Sequence, residues 1–189
     1  MYHKVCRSVK EEHWPLVTEA YDDLVKGGSA EKVPLDEIHP EHPTYVMTSR
    51  PVFRLGKSTT KCRIVINASL ADQKDPSRSL NKLLMAGPNK LPQIMALILK
   101  SMMKKHMVLI DIKKIFLAIH LEKTSDKDML RFVWGPKDSG TPELYRLLVI
   151  AFGVLSSPFQ AIWCLQKTAE MFNVQCSMFN VVYFRAHDT

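Results

Sequence analysis

The chain has 189 residues, 46% hydrophobic and 24% charged. That balance excludes an intrinsically disordered chain and suits one large domain or two small lobes sharing a core. A net charge of +7 favours a polyanionic partner over a cationic one, although many basic proteins have no such partner.

The four cysteines, Cys6, Cys62, Cys164 and Cys176, show no CxxC spacing. They read as reduced thiols of an intracellular, non-secreted protein. The opening MYHKVCRSVKEEHW has no apolar signal-peptide core. The longest apolar run, Leu147 to Leu155, is far short of the roughly 20 residues a membrane span takes, so no membrane partner is expected.

Trp14, Val17, Tyr21 and Leu24 recur at helical spacing, so His13 to Val25 is a predicted amphipathic helix stopped by Gly27-Gly28. The proline-rich EKVPLDEIHPEHPT reads as an irregular loop, with His39 and His42 as loop residues. Tyr45 to Arg54 and Cys62 to Ala68 are predicted strands, and Gly56 and Ser58 between them suit a hairpin. Ser79 to Met85 is short and ends at Gly87-Pro88. Leu91 to Lys105 reads as a helix with Leu91, Ile94, Met95, Ile98 and Met102 on one stripe. Its end carries Lys100, Lys104 and Lys105, where cations suit the helix dipole.

Met107 to Ile110 is a predicted buried strand, followed by strands over Met129 to Trp134 and Leu144 to Ala151 across the turn-rich GPKDSGTPE. A helix opens at Ser157-Pro158 and runs to Phe172, with Ser157 as N-cap and Pro158 at the first helical position. Met178 to Phe184 is the last predicted strand. Met85, Met95, Met102, Met103 and Met107 read as core filler. Strands and helices mix without strict alternation, so the expected class is α+β.

Three stretches bear on chemistry. In LIDIKKIFLAIH, Asp111 sits where an apolar run ends. A helix cap or turn is the ordinary reading. The alternative is a ligand to a hard divalent cation, held at a strand end while substrate phosphates complete the shell. In STTKCRIVINAS, Lys61 and Arg63 are two apart, so on a strand they share a face. They are either the solvated guard of an edge strand or a clamp on a phosphate chain. In AFGVLSSPFQA, the small residues near Gly153 and the helix start at Ser157-Pro158 give either simple capping or a close approach for a nucleic-acid backbone or base pair.

Taken in order, STTKCRIVINAS, SLNKLLMAGPNKL, LIDIKKIFLAIHL, KDMLRFVWG and LYRLLVIAFGVLSSPFQA closely resemble the reverse transcriptase of Pao/BEL-type LTR retrotransposons. The upstream YVMTSRPVFR also looks like that family's approach to the fingers, and the resemblance spans Tyr21 to Glu170. It implies a right-hand polymerase fold of fingers and an incomplete palm. Residues 1–105 and 123–148 would be mainly fingers, and 106–122 and 149–189 partial palm. It implies an RNA-directed DNA polymerase using Mg²⁺ or Mn²⁺, with RNA/DNA template-primer and dNTP as partners. The setting would be the cytoplasm or retrotransposon particles.

The resemblance also implies roles. Asp111 matches the aspartate that holds both metals, and Phe116 matches the bulky gate against a ribose 2′-OH. Lys61 and Arg63 match the residues that hold the incoming triphosphate. Phe152, Gly153, Ser157 and Pro158 match the block lining the nucleotide and template pocket. The backbone of Ile112 to Ile115 would also face the nucleotide.

A two-metal centre needs several carboxylates at close range. Here the sequence departs from the family. Asn67 stands where the family has Asp, and Lys113 where it has Glu. If Tyr183 is the tyrosine of the YxDD hairpin, Arg185 and Ala186 occupy its two aspartate positions, and Asp188 is out of register. The alternative is that the hairpin lies further on. The expectation is therefore a polymerase-derived chain that does not catalyse as it stands, with a non-catalytic nucleic-acid-binding protein as the alternative. The apolar faces of Leu144 to Ala151 and Met178 to Phe184 are expected to be poorly covered.

Overall fold

The computed structural model describes residues 9–38, 44–54, 61–71, 78–91, 93–105, 112–135 and 141–171. The predicted strands at Met107 to Ile110 and Met178 to Phe184 lie outside them, as do His39, His42, Asp111 and the Tyr183 to Asp188 stretch. The fold is mixed α+β. The chain divides into two compact units, one of residues 1–85 and 116–155, the other of 86–115 and 156–189.

The first unit is built on a five-stranded sheet. Its strands are β1 (Ala30–Lys32), β2 (Val46–Phe53), β3 (Cys62–Asn67), β4 (Arg131–Trp134) and β5 (Glu143–Leu147), in the order β1-β5-β4-β2-β3. β2 and β3 form the expected antiparallel hairpin, in register from Thr48↔Asn67 to Phe53↔Cys62. β4 and β5 form a second antiparallel pair, and β2 meets β4 in parallel through Val46↔Arg131 and Met47↔Phe132.

β1 corrects the loop expected there. Ala30, Glu31 and Lys32 pair with Leu147, Arg146 and Tyr145. Three residues carry too little periodicity to announce a strand, and the partner lies more than a hundred residues away. Within the same predicted loop, Leu35–Glu37 forms a 3-10 turn.

Helix α1 (Trp14–Lys26) covers one face of the sheet. Its buried Trp14, Val17 and Tyr21 lie on one stripe, as the spacing predicts. Tyr21 stacks on Trp134 with centroids 3.7 Å apart, and Trp14 and Phe132 extend the aromatic group. The Tyr21 hydroxyl hydrogen-bonds Ser49 Oγ at 2.7 Å, so the polar residue on the buried face of β2 is satisfied. Gly28, at φ 67, ends the helix in the left-handed region, and the Ser29 amide donates back to the Leu24 carbonyl. Cys62 is buried and Cys164 half-buried, both as free thiols, and burial pushes the Cys62 thiol above its usual value.

The opposite face of β4 and β5 holds a charge cluster. Arg131 and Arg146 are cross-strand partners, and both are buried. Two like charges in that position repel unless they are neutralised. Arg146 Nε donates to Glu31 at 2.7 Å, its Nη1 donates to Glu37 and, at 3.1 Å, to Asp128, and Arg131 pairs with Asp128 at 2.9 Å. Burial opposes the Arg146 charge, but Glu37, Glu31 and Asp128 outweigh it and hold the guanidinium above its ordinary range. One side chain thereby ties together β5, β1, the 35–37 turn and the helix α4 (Thr124–Asp128).

Leu147, Val149, Ile150 and Ala151 are all buried, which corrects the expectation of a poorly covered face there. The first unit also holds the short α2 (Leu80–Leu83). The second unit holds α3 (Ile94–Met102) and α5 (Ser157–Met171). α3 is shorter than predicted, and no residue of it is buried. Its stripe is exposed, with Ile94 at 71% and Met102 at 76%. Met85, Met95 and Met103 are also exposed, so these methionines are not core filler. Helical spacing identifies an apolar face but not what covers it.

The Arg146 cluster yields a direct expectation. Arg146→Met leaves Asp128, Glu31 and Glu37 without their shared cation and should lower the unfolding free energy by about 3 kcal/mol in urea titration. A loss well below about 1 kcal/mol would show that the cluster contributes little.

Candidate functional site

β3 is an edge strand whose side chains alternate. Cys62 and Ile66 are buried, while Arg63 and Asn67 are exposed on the other face. Lys61 immediately precedes the strand, is exposed and has the same parity as Arg63. The two cations therefore share the sheet face opposite α1, as their spacing predicts. Among the described residues neither makes a side-chain ion pair.

Phe116 and Phe152 meet although 36 residues separate them. The register explains this. His120 and Val149 form an antiparallel bridge, flanked by Leu121 N–H donating to the Leu148 carbonyl and Ile150 N–H to the Ile119 carbonyl. Three or four residues beyond the bridge on each side bring Phe116 and Phe152 together. Their rings meet edge to face, 4.4 Å between centroids at 73°. Phe116 is half-buried in the 3-10 turn Ile115–Ala118, and Phe152 is exposed.

Gly153 is held against β3. Its φ is +90°, outside the range comfortable for other residues. A Cβ there would lie 2.7 Å from the backbone carbonyl oxygen of Ile66. The small residue is thus required twice, by conformation and by space.

Asn81 in α2 locks this approach. Its Nδ2 donates to the Gly153 carbonyl at 2.8 Å and to Ser69 Oγ at 2.7 Å, and its Oδ1 accepts from the Leu155 amide at 2.8 Å. Its own amide donates to the Ala68 carbonyl. Asn81 lies within SLNKLLMAGPNKL, where its spacing alone marks no role. An asparagine between Leu80 and Leu83, a residue poor for helix interiors beside two apolar ones, is the signal that was present.

Asn67 Oδ1 accepts from the Ser69 amide at 3.1 Å, an Asx turn that closes β3. Lys113 is exposed, and the next residue, Lys114, takes a positive φ of 55° in the turn before the Ile115–Ala118 segment. A lysine there is uncommon and costs about 1 kcal/mol.

Ser157 and Pro158 belong to the second unit. The predicted cap shifts by one residue. The Ser156 carbonyl accepts from the Gln160 amide, which makes Ser156 the cap and Ser157 the first helical residue. Ser157 is only 1% exposed and among the described residues its hydroxyl has no hydrogen-bond partner, so it does not cap α5. Pro158, at the second position, forgoes an amide that helix starts leave unpaired in any case.

Among the described residues, no group of three His, Cys, Asp or Glu is placed to hold a metal ion. Of the acids that the resemblance implies, two positions hold Asn67 and Lys113, and Asp111 and the Tyr183 to Asp188 stretch lie outside the described residues. Among the described residues, no helix is long and apolar enough to cross a membrane. Comparison with protein-family models and with curated proteins returned no match.

Gly153→Ala combines a strained φ with a backbone clash and should lower the unfolding free energy by about 2 kcal/mol or more in chemical denaturation. Asn81→Ala removes three side-chain hydrogen bonds and should cost about 2 kcal/mol in the same assay. Wild-type stability in either variant would contradict the packing described for this corner.

Proposed function

We propose that this chain is a reverse-transcriptase-like domain of the Pao/BEL retrotransposon type, fingers with part of a palm. In this reading it binds nucleotide and template-primer nucleic acid but does not catalyse nucleotidyl transfer as it stands. Its setting is intracellular, in the cytoplasm or in retrotransposon particles. The observation that supports the reading is convergence. β3, the Asn81 helix, Phe116 and the Phe152–Gly153 turn come from four separate sequence blocks that resemble the family in its order, and contacts join them at one corner of the first unit.

Each group has a chemical task. Arg63 offers bidentate hydrogen bonds to phosphate oxygens and Lys61 a point charge. The Phe116–Phe152 pair offers an apolar wall for a sugar or base. Gly153 lets backbone approach backbone, so that nothing protrudes beside the wall. Ser157 and Pro158 enter this reading through the resemblance alone.

The non-catalytic part rests on charge. The resemblance implies Mg²⁺ or Mn²⁺, whose role would be to neutralise charge on the reacting phosphates. The resemblance puts the further carboxylates such ions need in a YxDD hairpin, whose two aspartate positions hold Arg185 and Ala186 if Tyr183 is its tyrosine, and two more of the family's acids are replaced by Asn67 and Lys113. A lysine within about 4 Å of a unit positive charge repels it by about 4 kcal/mol at an effective dielectric of about 20.

Primer extension on poly(rA)/oligo(dT) with Mg²⁺ or Mn²⁺ should give no incorporation. Incorporation that disappears in Asp111→Ala would overturn the non-catalytic reading. In calorimetry dTTP should bind the wild-type chain, and Lys61→Ala/Arg63→Ala should weaken it by about tenfold or more. No measurable dTTP binding would overturn the nucleotide site.

A further inference from the structure

Helix α3 is apolar around most of its circumference, yet no residue of it is buried. A helix of that composition is stable when something covers it. At about 100° per residue, Ile94, Ile98, Met102, Met95, Leu99 and the C-cap Met103 follow one another around an arc of about 180°. All six are exposed, from 46% at Ile98 to 84% at Met103. The other side of the helix holds Ala96, Leu97, Lys100 and Ser101, of which Leu97 and Ser101 are half-buried. The Ser101 hydroxyl donates to the Ile98 carbonyl at 2.6 Å, so it is satisfied within the helix.

The size and make-up of this face are those of an interface. Six large apolar side chains at that exposure present on the order of 500 Å². That is near the upper end of what a monomer leaves open. Two such faces bury about 1,000 Å² when paired, the threshold for a specific interface, and the exposed Leu91 beside them adds more. Interface cores are rich in methionine and poor in charge, and the arc holds three methionines and no charged residue.

Symmetry identifies the occupant. A two-fold axis across α3 between Ile98 and Leu99 exchanges Ile94 with Met103, Met95 with Met102 and Ile98 with Leu99. The six residues map onto one another, and the axis lies close to the middle of the helix, so two copies overlap along their whole length. The antiparallel pairing also sets the N-terminus of each helix beside the C-terminus of the other, where the dipoles attract. The nearby cations form a rim. Lys100 lies off the arc, and Lys104 and Lys105 lie beyond the end of the helix. A membrane-surface helix backs its apolar face with a strongly charged one, whereas the back of α3 carries a single charge, Lys100.

We propose that the apolar arc of α3 is a self-association surface, on which a second copy of this chain packs antiparallel, α3 against α3. This surface shares no residue with the nucleotide site proposed above and does not rest on it.

Sedimentation equilibrium of the full chain without nucleic acid tests this, from about 1 to about 200 μM, the range that brackets a weak interface of this size. The mass should rise from 21.6 kDa toward twice that value. Raising the salt to about 1 M should not weaken the dimer, because the rim lysines are then screened. Ile98→Asp/Met102→Asp should stay monomeric throughout. Its circular dichroism and thermal midpoint should match the wild type, since neither residue is buried. The geometry has its own test in a mixture of Met95→Cys and Met102→Cys, which should form an intersubunit disulfide under mild oxidation. Neither variant alone should exceed the wild-type background, because like positions lie about 10 Å apart along an antiparallel pair. A monomer at every concentration, or a dimer that the aspartates leave intact, would overturn the proposal. A disulfide in Met95→Cys alone would contradict the antiparallel pairing. Monomeric binding to phosphatidylcholine/phosphatidylserine vesicles, abolished by the aspartates, would assign the face to a membrane instead.

Discussion

The approach of Gly153 to the carbonyl of Ile66 is the constraint on which the candidate site depends. It lets the turn after β5 sit directly on the backbone of β3, with no side chain between them. The Asn81 amide then bonds to both sides of the contact, and Phe152, one residue away, is left exposed against Phe116. A larger residue at 153 would separate the hairpin from the turn, and every later feature of this corner would move with it. The close approach costs backbone freedom, and the Asn81 hydrogen bonds and the surrounding core offset that cost.

Charge is handled in two opposite ways. On the sheet face around β4 and β5, Arg131 and Arg146 are buried and shared among Asp128, Glu31 and Glu37. Those pairs fix how the short β1 strand and the 35–37 turn lie against the sheet. On the outer face of the β2–β3 hairpin the cations stay exposed and lack carboxylates among the described residues. The first arrangement serves folding, since a buried guanidinium without anions would be expensive. The second leaves its charge available to a ligand. The overall +7 charge could not distinguish the two, because it counts both sets alike.

Much of the first unit was legible in the sequence. The spacing of Trp14, Val17 and Tyr21 marked α1, and the run from Cys62 to Ala68 marked β3, with Lys61 and Arg63 two apart on one face. β1 was not legible, because AEK has no pattern of its own and forms only by pairing with β5. The cap at Ser157 was misplaced by one residue, because SSP offers two candidate serines and only the Ser156 carbonyl bond distinguishes them. The exposed stripe of α3 shows the limit of periodicity, which reports a face and not its cover. In the site, the shared face of Lys61 and Arg63 could be read from parity, and the small residues around Gly153 from their block. The contacts of Asn81 and the meeting of Phe116 with Phe152 could not, since both depend on register between distant segments.

The central claim is that sequence-distant blocks meet to form a nucleotide site. Photo-crosslinking with a photoreactive dUTP analogue, followed by peptide mapping, tests it most directly. The account predicts adducts on the segments carrying Lys61 and Arg63 and on those carrying Phe116 or Phe152, suppressed by excess dTTP. Adducts confined to other segments, or labelling that excess dTTP leaves unchanged, would contradict it.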